Sequence, residues 1–503
     1  MLNLLKKNKI GTILIFLHLI ISVVFGIVVA RLGILPTAYF VIILILLAIL
    51  LALVSFSQFS KKKSLSIIGK VLSFVCIAGL CIASYYVIRA NSTLERITST
   101  TPEKTHIMAV AVLTDDPATQ LRDTANYIFG VQYQVKPEQT EATVSQIREV
   151  LGTAIATEEY QNLSEQVKAL RDKDVQAIIY NEAYAATIEE EYEDYEDFIR
   201  VIFRYSYVEE LTQTPTDPTT VSSSTDTGAD MDPNATSLIQ NDDSFCVFIS
   251  GIDTYGSIGT TSRSDSNIVA VVNPGTKQIL LINTPRDYYV PFPGITGGKL
   301  DKLTHAGIYG VDVSMATLAE LYNVPIEYYV RVNFSSFIEV VDLLGGIDVY
   351  SEFSVNTIRK LHVNKGWNTF NGEQALNFAR ERYNFATGDN QRGKNHQAII
   401  TAIIKKMTTP AILSNATAIM DSVADSVDTN FPKERIQELI SLQLGDGSEW
   451  NIRSVQATGR AGSEYCYSYS GMRLWVMWPD ESSIDAIQSL IRSVQSSEIL
   501  PPE

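Results

Sequence analysis

The sequence predicts an α/β protein with three parts: a membrane anchor of three transmembrane helices, a small α/β accessory domain, and a main α/β domain whose central, mostly buried sheet is flanked by helices. Three observations predict this. The first 90 residues contain three long apolar runs, short apolar runs of strand length follow, and segments with helical spacing of apolar residues alternate with them. With 503 residues and 46% hydrophobic content, the chain exceeds one ordinary domain and can build a substantial core.

The membrane region is predicted over residues 1–95. Its apolar runs, about Ile10–Ala30, Thr37–Phe56 and Val71–Ile88, each approach the ~20 residues that a helix needs to cross a bilayer. A cleaved signal peptide is the alternative for the first run. Three runs and the lack of a small-residue cleavage site favour a multi-pass membrane protein instead.

Positive charge orients these spans. Lysines precede the first span and follow the second, whereas the turn between those spans carries only Arg31; the lysines are Lys6, Lys7, Lys9, Lys61, Lys62, Lys63 and Lys70. Cytoplasmic loops carry the excess of positive charge, so the N-terminus is expected to be cytoplasmic. The chain after about Arg89 is then extracellular, which makes this a cell-membrane protein with a large outer part.

The accessory domain is predicted over residues 96–211, and a linker over 212–243. Strand-like and helical runs alternate in the domain: Thr105–Leu113, Glu141–Leu151, about Tyr160–Asp172, Val175–Tyr180 and Ile199–Val208. Its acidic run between Glu189 and Asp197 could hold a cation, but a solvated helix face or loop is the favoured interpretation. The linker is rich in Thr, Ser, Asp and Pro and nearly devoid of apolar residues.

The main domain is predicted over residues 244–503. Near-continuous apolar strands indicate a sheet that is covered on both faces; they are 245–252, 267–273, 278–283, 328–334 and 347–350. Helices are expected at about Val313–Tyr322, Phe334–Leu344, Asn371–Ala379, Asn390–Lys406, Lys433–Leu444 and Ser482–Val494.

Charge and composition exclude several functions. A formal net charge of -16 argues against nucleic-acid binding, which needs a basic surface. The five histidines show no HxxxH spacing, the cysteines no CxxC spacing, and there is no Walker loop or GxSxG elbow. Of the four cysteines, Cys246 and Cys466 could form an extracellular disulfide or remain as two buried thiols, and the sequence leaves both open.

Charged motifs at a predicted hairpin form the first half of a candidate site. The turn NPGTK joins the runs 267–273 and 278–283, which predicts a β-hairpin. Arg263 and Asp265 precede the first strand, and Arg286 and Asp287 follow the second, so all four are expected at one sheet edge. Asp253 ends the preceding strand and returns to the same edge through a short Gly-rich loop.

A second group of basic residues follows a short helix. Arg380 and Arg382 are two residues apart and point the same way if the backbone is extended. Asp389 is expected to cap a helix that begins near Asn390. Arg392 then lies in the first turn of this helix, where free backbone N–H groups also favour anions. His396 follows one turn later on the same face as Arg392.

Two further residues lie between these groups. Lys302 could contact a phosphate or be a solvated loop lysine, and the sequence favours neither. His305 is expected to be a packed or hydrogen-bonded histidine rather than a ligand.

The mixture of arginines and aspartates suits a diphosphate with a bound metal ion. Arginine forks bind phosphate oxygens in pairs, whereas carboxylates and water hold a hard divalent cation. Taken singly, each charged pair is more commonly a surface salt bridge worth at most about 1 kcal/mol. Their expected placement at one edge, together with a second arginine group, favours a functional site.

Seven motifs in this order resemble the LytR–CpsA–Psr family, and most closely its streptococcal capsule-associated members, which also carry three N-terminal spans and an accessory domain. The motifs are FISGIDTYG, TSRSD, TPRDYYV, DKLTHAGIYG, NFSSFIEVVDLLGGIDVY, FNGEQALNFARERY and GDNQRGKN. They cover about residues 244–410 densely.

The resemblance implies an extracytoplasmic phosphotransferase that moves a glycan phosphate from a polyprenyl diphosphate carrier to peptidoglycan, with Mg²⁺, or alternatively Mn²⁺, as cofactor. It places metal ligands at Asp253 and Asp265, and catalytic roles at Arg263, Asp265 and Arg286. Diphosphate contacts are implied for Arg263, Arg286, Arg380, Arg382, Arg392 and Lys302, and a weaker one for His396, where the family commonly has glutamine. The implied partners are the carrier-linked glycan, peptidoglycan, the lipid bilayer and, as further candidates, capsule-synthesis membrane proteins.

Two other functions stay open. A polyprenyl-diphosphate hydrolase would use the same arginines and metal, with water in place of the sugar hydroxyl. A non-catalytic protein that binds lipid-linked glycan could instead regulate capsule synthesis through its membrane spans.

Overall fold

A computed structural model describes residues 9–60, 62–98, 103–210, 244–254, 258–385, 388–409 and 427–501. The predicted linker 212–243 lies outside these residues. The chain forms two compact units. The first unit comprises Met1–Thr100 and Tyr328–Asn451, and the second comprises Thr101–Glu327 and Ile452–Glu503. The mixed α/β class predicted from the sequence is confirmed, while the predicted boundaries of the accessory and main domains stay a prediction.

The first unit begins with three apolar helices: α1 (Lys9–Leu32), α2 (Thr37–Gln58) and α3 (Lys63–Thr98). Each is long and apolar enough to cross a membrane, with mean hydropathy of 3.0, 3.2 and 2.3 for the three candidate spans. Their apolar side chains are largely exposed, as expected for helices whose solvent is lipid.

The second unit opens with a five-stranded sheet in the order β3-β2-β4-β1-β5. Its elements are β1 (Glu103–Leu113), β2 (Ile128–Val131), α4 (Pro137–Leu151), β3 (Ala156–Glu159), α5 (Leu163–Arg171), β4 (Ala177–Asn181), α6 (Ala185–Glu191), α7 (Tyr195–Phe198) and β5 (Ile199–Glu210). Alternate residues of β1 belong to two cores: Val110 packs with Val144 of α4, and Ala109 with Val167 of α5. Helices therefore cover both faces, which explains why β1 is apolar throughout.

The same unit continues with the predicted hairpin. Its elements are β6 (Phe245–Ile252), β7 (Ser264–Asn273), β8 (Gln278–Thr284), β9 (Tyr289–Pro291), β10 (Leu300–Lys302), α8 (Leu303–Tyr309) and α9 (Val311–Tyr322). The antiparallel register of β7 and β8 pairs Val271 with Leu280 and Asn267 with Thr284. Every residue of β8 is buried. The hairpin prediction is confirmed.

The remainder of the first unit contains short strand pairs and helices. Its elements are β11 (Tyr328–Val332), α10 (Phe334–Leu343), β12 (Ile347–Ser351), β13 (Val355–Asn356), β14 (His362–Val363), β15 (Gly366–Phe370), α11 (Gly372–Arg380), α12 (Asp389–Met407), β16 (Asp428–Thr429) and α13 (Lys433–Asp446). Strand β12 pairs with β15, and both pack with α11 and α12 around Phe378 and Ile399.

The second unit closes with β17 (Asn451–Gln456), β18 (Gly459–Tyr465), β19 (Arg473–Pro479) and α14 (Glu481–Gln495). Strand β17 lies next to β8, and α14 packs on β7 and β8. The β18–β19 hairpin, which the sequence did not reveal, contributes Leu474 and Val476 to the core that contains α5. Cys246 and Cys466 are buried free thiols whose pKa values burial raises.

Candidate functional site

The open end of the β7–β8 hairpin carries the predicted cluster. Asn267 and Thr284 form its last paired position, so the residues before β7's paired segment and after β8 meet there. Arg286 Nη1 lies 2.7 Å from Asp265 Oδ2. The placement of these two motifs at one sheet edge, inferred from the hairpin alone, is confirmed.

Arg263 joins the same edge to the end of β6. Its Nη2 lies 2.8 Å from Asp253 Oδ2, and Ser262 Oγ donates to Asp253 Oδ1 over 3.1 Å. Arg263 is only 6% exposed. Burial opposes its charge, but the carboxylates of Asp265 and Asp253 outweigh burial and the repulsion of Arg286, and the pKa of Arg263 is raised. Arg263 is therefore a permanent cation.

Lys302 is part of the cluster and is not a solvated loop lysine. Its Nζ lies 2.9 Å from Asp287 Oδ1, and the residue is 2% exposed. It ends β10 and directly precedes α8, whose first residues bond back to the segment after β8: the N–H of Thr304 donates to Arg286 O over 2.8 Å. Local backbone pairing thus fixes where Lys302 enters.

Helix α8 supports the cluster in three ways. Thr304 Oγ1 donates to Asp265 Oδ1 over 2.9 Å. Gly307 lets the helix approach the Ser262–Ser264 backbone, because a Cβ on Gly307 would lie 2.6 Å from Ser262 O. His305 is buried with Nδ1 2.7 Å from Asp301 Oδ1. His305 is hence the hydrogen-bonded, packed histidine that the sequence predicts.

Glu190 is a member of the site that sequence reasoning missed. Its carboxylate lies 3.8 Å from Arg263 Nη1, 3.6 Å from Arg286 Nη2 and 3.3 Å from Lys302 Nζ. Glu190 lies at an exposed position of α6, as the interpretation of the acidic run as a solvated helix face predicts, but its carboxylate also joins the cluster. No local pattern marks it, because the contact joins residues more than 70 positions apart.

The neighbouring carboxylate, Glu191, fixes the end of α6. It accepts hydrogen bonds from Ser164 Oγ, over 2.6 Å, and from the Tyr469 hydroxyl. Thr187 and Ile188 of the same helix are fully buried. These contacts hold the α6 backbone and present Glu190 to the cluster.

The second arginine group lies in the first unit. The Arg380 guanidinium stacks over the Phe334 ring at 4.3 Å, and Arg382 Nη2 donates to the Tyr383 hydroxyl over 2.7 Å. Arg380 is thus held by the flat face of its guanidinium, and Arg382 by one guanidinium nitrogen. Convergence of this group with the hairpin cluster in one site stays a prediction.

The start of α12 differs from the prediction in one detail. Asp389 is the first helical residue and forms an ion pair with Arg392, and Gly388, with φ of 53°, takes the cap position. The prediction that Asp389 caps the helix is therefore wrong. The backbone at the cap position has a positive φ, which Gly388 adopts without strain. His396 Nε2 lies 2.9 Å from the Ala379 carbonyl oxygen; because a carbonyl oxygen can only accept, this nitrogen is the donor.

Asp253 and Asp265 are the predicted metal ligands. Among the described residues, no group of three or more His, Cys, Asp or Glu side chains is arranged to hold a metal ion. Asp253 and Asp265 each accept hydrogen bonds on both oxygens. Mg²⁺ is usually bound by one or two carboxylates with water and substrate phosphates. Asp253 and Asp265 are carboxylates of the kind that this donor set uses.

The second unit brings three cationic side chains together at the hairpin edge. Two arginines and one lysine, all nearly buried, lie within one ion-pair network with Asp253, Asp265, Asp287 and Glu190. Guanidinium forks and an ammonium group in a partly dehydrated setting bind phosphate oxygens strongly. The site can therefore hold a phosphate or diphosphate and stabilise charge that develops on it.

Comparison with known proteins gives consistent matches. A sequence model described as the LytR_cpsA_psr family matches residues 208–488, more than half of the 503-residue chain. The polyisoprenyl-teichoic acid–peptidoglycan teichoic acid transferase TagU of Bacillus cereus is 34% identical over 194 residues, which are 38% of this chain and 62% of TagU. The corresponding transferase TagT of Bacillus subtilis is 32% identical over 228 residues, 43% of this chain and 68% of TagT.

Among solved structures, the crystal structure of B. subtilis TagV matches 51% of this chain and 98% of that chain, at 26% identity and a TM-score of 0.44. The matched part of this chain spans somewhat less than two thirds of the B. cereus relative.

Proposed function

The chain belongs to the LytR–CpsA–Psr family, and from that premise we propose that it is an extracytoplasmic phosphotransferase. It would move a phosphate-linked glycan from a polyprenyl diphosphate carrier to peptidoglycan. The observation that carries this proposal is the joining of Arg263, Arg286 and Lys302 in one buried ion-pair network at the hairpin edge. The names of the curated relatives, which are transferases of carrier-linked teichoic acid to peptidoglycan, support it.

The proposed reaction exchanges the phosphoanhydride bond of the carrier diphosphate for a phosphodiester bond to the acceptor sugar. A hydroxyl oxygen of the acceptor sugar attacks the phosphorus that bears the glycan, and the bond from that phosphorus to the bridging oxygen breaks. Polyprenyl phosphate leaves with the bridging oxygen, and the hydroxyl proton passes to a carboxylate of the site. Phosphoryl transfer of this kind depends on positioning and charge neutralisation more than on covalent chemistry by the protein.

Within this reaction the cations bind the diphosphate oxygens. Arg263 keeps its charge because its pKa is raised, which supports a role as phosphate ligand and disfavours it as the proton acceptor. Arg286 is oriented by Asp265, and Asp265 is in turn held by Thr304. Lys302 is positioned by Asp287. These contacts preorganise the donors, so little rearrangement is needed when charge develops.

We assign Mg²⁺, or Mn²⁺, to Asp253 and Asp265, where it would supply positive charge to the diphosphate oxygens. Arg380, Arg382 and Arg392 are proposed as further diphosphate ligands. His396 is a weaker candidate, since its Nε2 is already engaged by the Ala379 carbonyl.

The glycan is proposed to be a capsular polysaccharide, with teichoic acid as the alternative suggested by the curated relatives. Three apolar helices and an α/β segment precede most of the family match, the layout that the capsule-associated members share. The lysines that flank the spans favour a cytoplasmic N-terminus and an extracellular site. Capsule-synthesis membrane proteins are then candidate partners of the spans.

Full-length protein in detergent, supplied with Mg²⁺, carrier-linked glycan and peptidoglycan, tests this function. A covalent adduct of glycan and peptidoglycan is the expected product. Free phosphorylated glycan without an adduct would identify a hydrolase. If Arg263→Ala and Asp265→Ala leave glycan attachment in cells unchanged, the protein is a non-catalytic regulator and the proposal is wrong.

A further inference from the structure

Glu190 is the one carboxylate that lies near all three cations of the site in the described part of the chain. Its Oε1 is the oxygen near Arg263 Nη1 and Arg286 Nη2, and its Oε2 is the oxygen near Lys302 Nζ. Both oxygens of one carboxylate are thus shared among three cations. A phosphate group that binds these nitrogens would need the same space, because a carboxylate and a phosphate present similarly spaced oxygens.

Exposure distinguishes Glu190 from the cations that it contacts. The side chains of Arg263, Arg286 and Lys302 are 7%, 8% and 3% exposed, whereas that of Glu190 is 35% exposed. Glu190 is therefore the partner of these cations that solvent reaches most readily.

The charge balance of the network points the same way. In the part of the chain that the structure describes, three cations are joined with the carboxylates of Asp253, Asp265, Asp287 and Glu190. With Glu190 in place, negative groups outnumber positive ones, so a further anion is repelled. Without Glu190 the numbers are equal, and binding of an anion meets one like charge fewer.

The movement that this exchange requires is small. Thr187 and Ile188 anchor α6 in the core, and Glu191 is held by Ser164 and Tyr469. The helix backbone is thereby fixed. The side chain of Glu190 is long and partly exposed, so rotation about its own bonds is sufficient to release the cations to a ligand.

We propose that Glu190 is a placeholder carboxylate: it pairs with the three cations of the site when no substrate is present, and a substrate phosphate displaces it. The part of the chain before residues 244–410, where the family motifs are dense, thus contributes a residue to the site. This residue sets how tightly phosphate binds. The inference rests on the proposed function in taking the ligand to be a diphosphate.

Calorimetric titration of full-length protein in detergent with inorganic pyrophosphate, in buffer without divalent cations, tests the proposal. Glu190→Gln keeps the size of the side chain and removes its charge, and we expect it to tighten pyrophosphate binding about tenfold. Glu189→Gln removes the same charge from the adjacent exposed position of α6 and serves as the control, with an affinity like that of wild type.

Equal pyrophosphate affinity of wild type and Glu190→Gln, or weaker binding by the variant, would overturn the proposal, because Glu190 would then be irrelevant to the ligand or help to hold it. Absence of binding by both proteins would also overturn it. If glycan transfer fails but Glu190→Gln still binds pyrophosphate more tightly, the proposed function is wrong and this inference stands. If transfer succeeds and the affinities are equal, the inference alone is wrong.

Discussion

Asp265 and Arg286 are joined by a 2.7 Å ion pair across the open end of the β7–β8 hairpin, although they are 21 residues apart in sequence. Antiparallel pairing places the entry of one strand beside the exit of the next, so the hairpin itself creates the contact. Both side chains are largely buried. A carboxylate that orients Arg286, the arginine proposed to bind phosphate, is therefore built into the sheet.

Asp265→Asn is expected to lower glycan transfer about 100-fold. The amide can still accept from Thr304, but it no longer holds Arg286 by charge or offers a carboxylate to the proposed metal ion. Transfer by purified full-length protein is the measurement. Asp312→Asn, which removes an exposed carboxylate paired with Lys104, is the control and should retain activity. Activity of Asp265→Asn near that of wild type would remove Asp265 from the catalytic group.

Arg263→Lys is expected to lower transfer about tenfold or more while the protein stays folded. A single ammonium group cannot reproduce the guanidinium contacts to Asp253 and toward Glu190, which use two different nitrogens. Transfer rate and far-UV circular dichroism should be measured together. Arg204→Lys changes an exposed arginine that binds Glu182 and is the matched control. Equal rates for the two variants would contradict the predicted role of Arg263.

Gly307→Ala is expected to destabilise the protein by about 1–3 kcal/mol and to reduce transfer. The added Cβ would lie 2.6 Å from Ser262 O and 2.7 Å from Ser264 N, so α8 must move away from the backbone that carries Arg263. Gly79→Ala in α3, where nothing lies within 4 Å of the added atom, is the control. Thermal unfolding measures the effect. Unfolding temperatures that shift equally in both variants would show that the close approach is tolerated.

Local sequence signals predicted much of the fold and half of the site. The turn NPGTK between two apolar runs sufficed to bring Asp265 and Arg286 together, and β6, β7 and β8 lie where the apolar runs placed them. Strand β2 and the β18–β19 hairpin were missed because β2 is short and β18 is largely polar. Glu190 could not be found from the sequence, since its partners come from distant segments and its own surroundings read as an acidic surface.

Protein stability is expected to fall between pH 6.5 and the lower pKa of folded His106. Burial lowers this pKa below its ordinary 6.5, Lys136 and Lys104 lower it further, and the opposing effect of Glu209 is smaller. The ring is held by Thr261 Oγ1, 2.9 Å from Nδ1. As pH falls below 6.5, His106 is protonated in the unfolded chain but stays neutral in the folded protein. The free energy of unfolding therefore decreases.

Unfolding temperature measured across pH 7.5–5.5 tests this prediction. The underlying free energy of unfolding changes by at most about 1.4 kcal/mol per pH unit when one group titrates. His106→Gln should flatten the decline, and His362→Gln, at an exposed position, should leave it unchanged. An identical decline in His106→Gln would assign the pH dependence to other groups.

Tyr469→Phe is expected to destabilise the second unit by about 1–3 kcal/mol, because it removes a hydrogen bond to the Glu191 carboxylate at a position where the tyrosine is 1% exposed. Denaturant unfolding measures this loss, and Tyr465→Phe, at a residue that is 53% exposed, is the control. A double-mutant cycle with Glu191→Gln should give a coupling of about 1 kcal/mol. If the losses of unfolding free energy are additive, the Tyr469 hydroxyl and the Glu191 carboxylate act independently. The end of α6 would then be held only by Ser164 and by the buried residues of the helix.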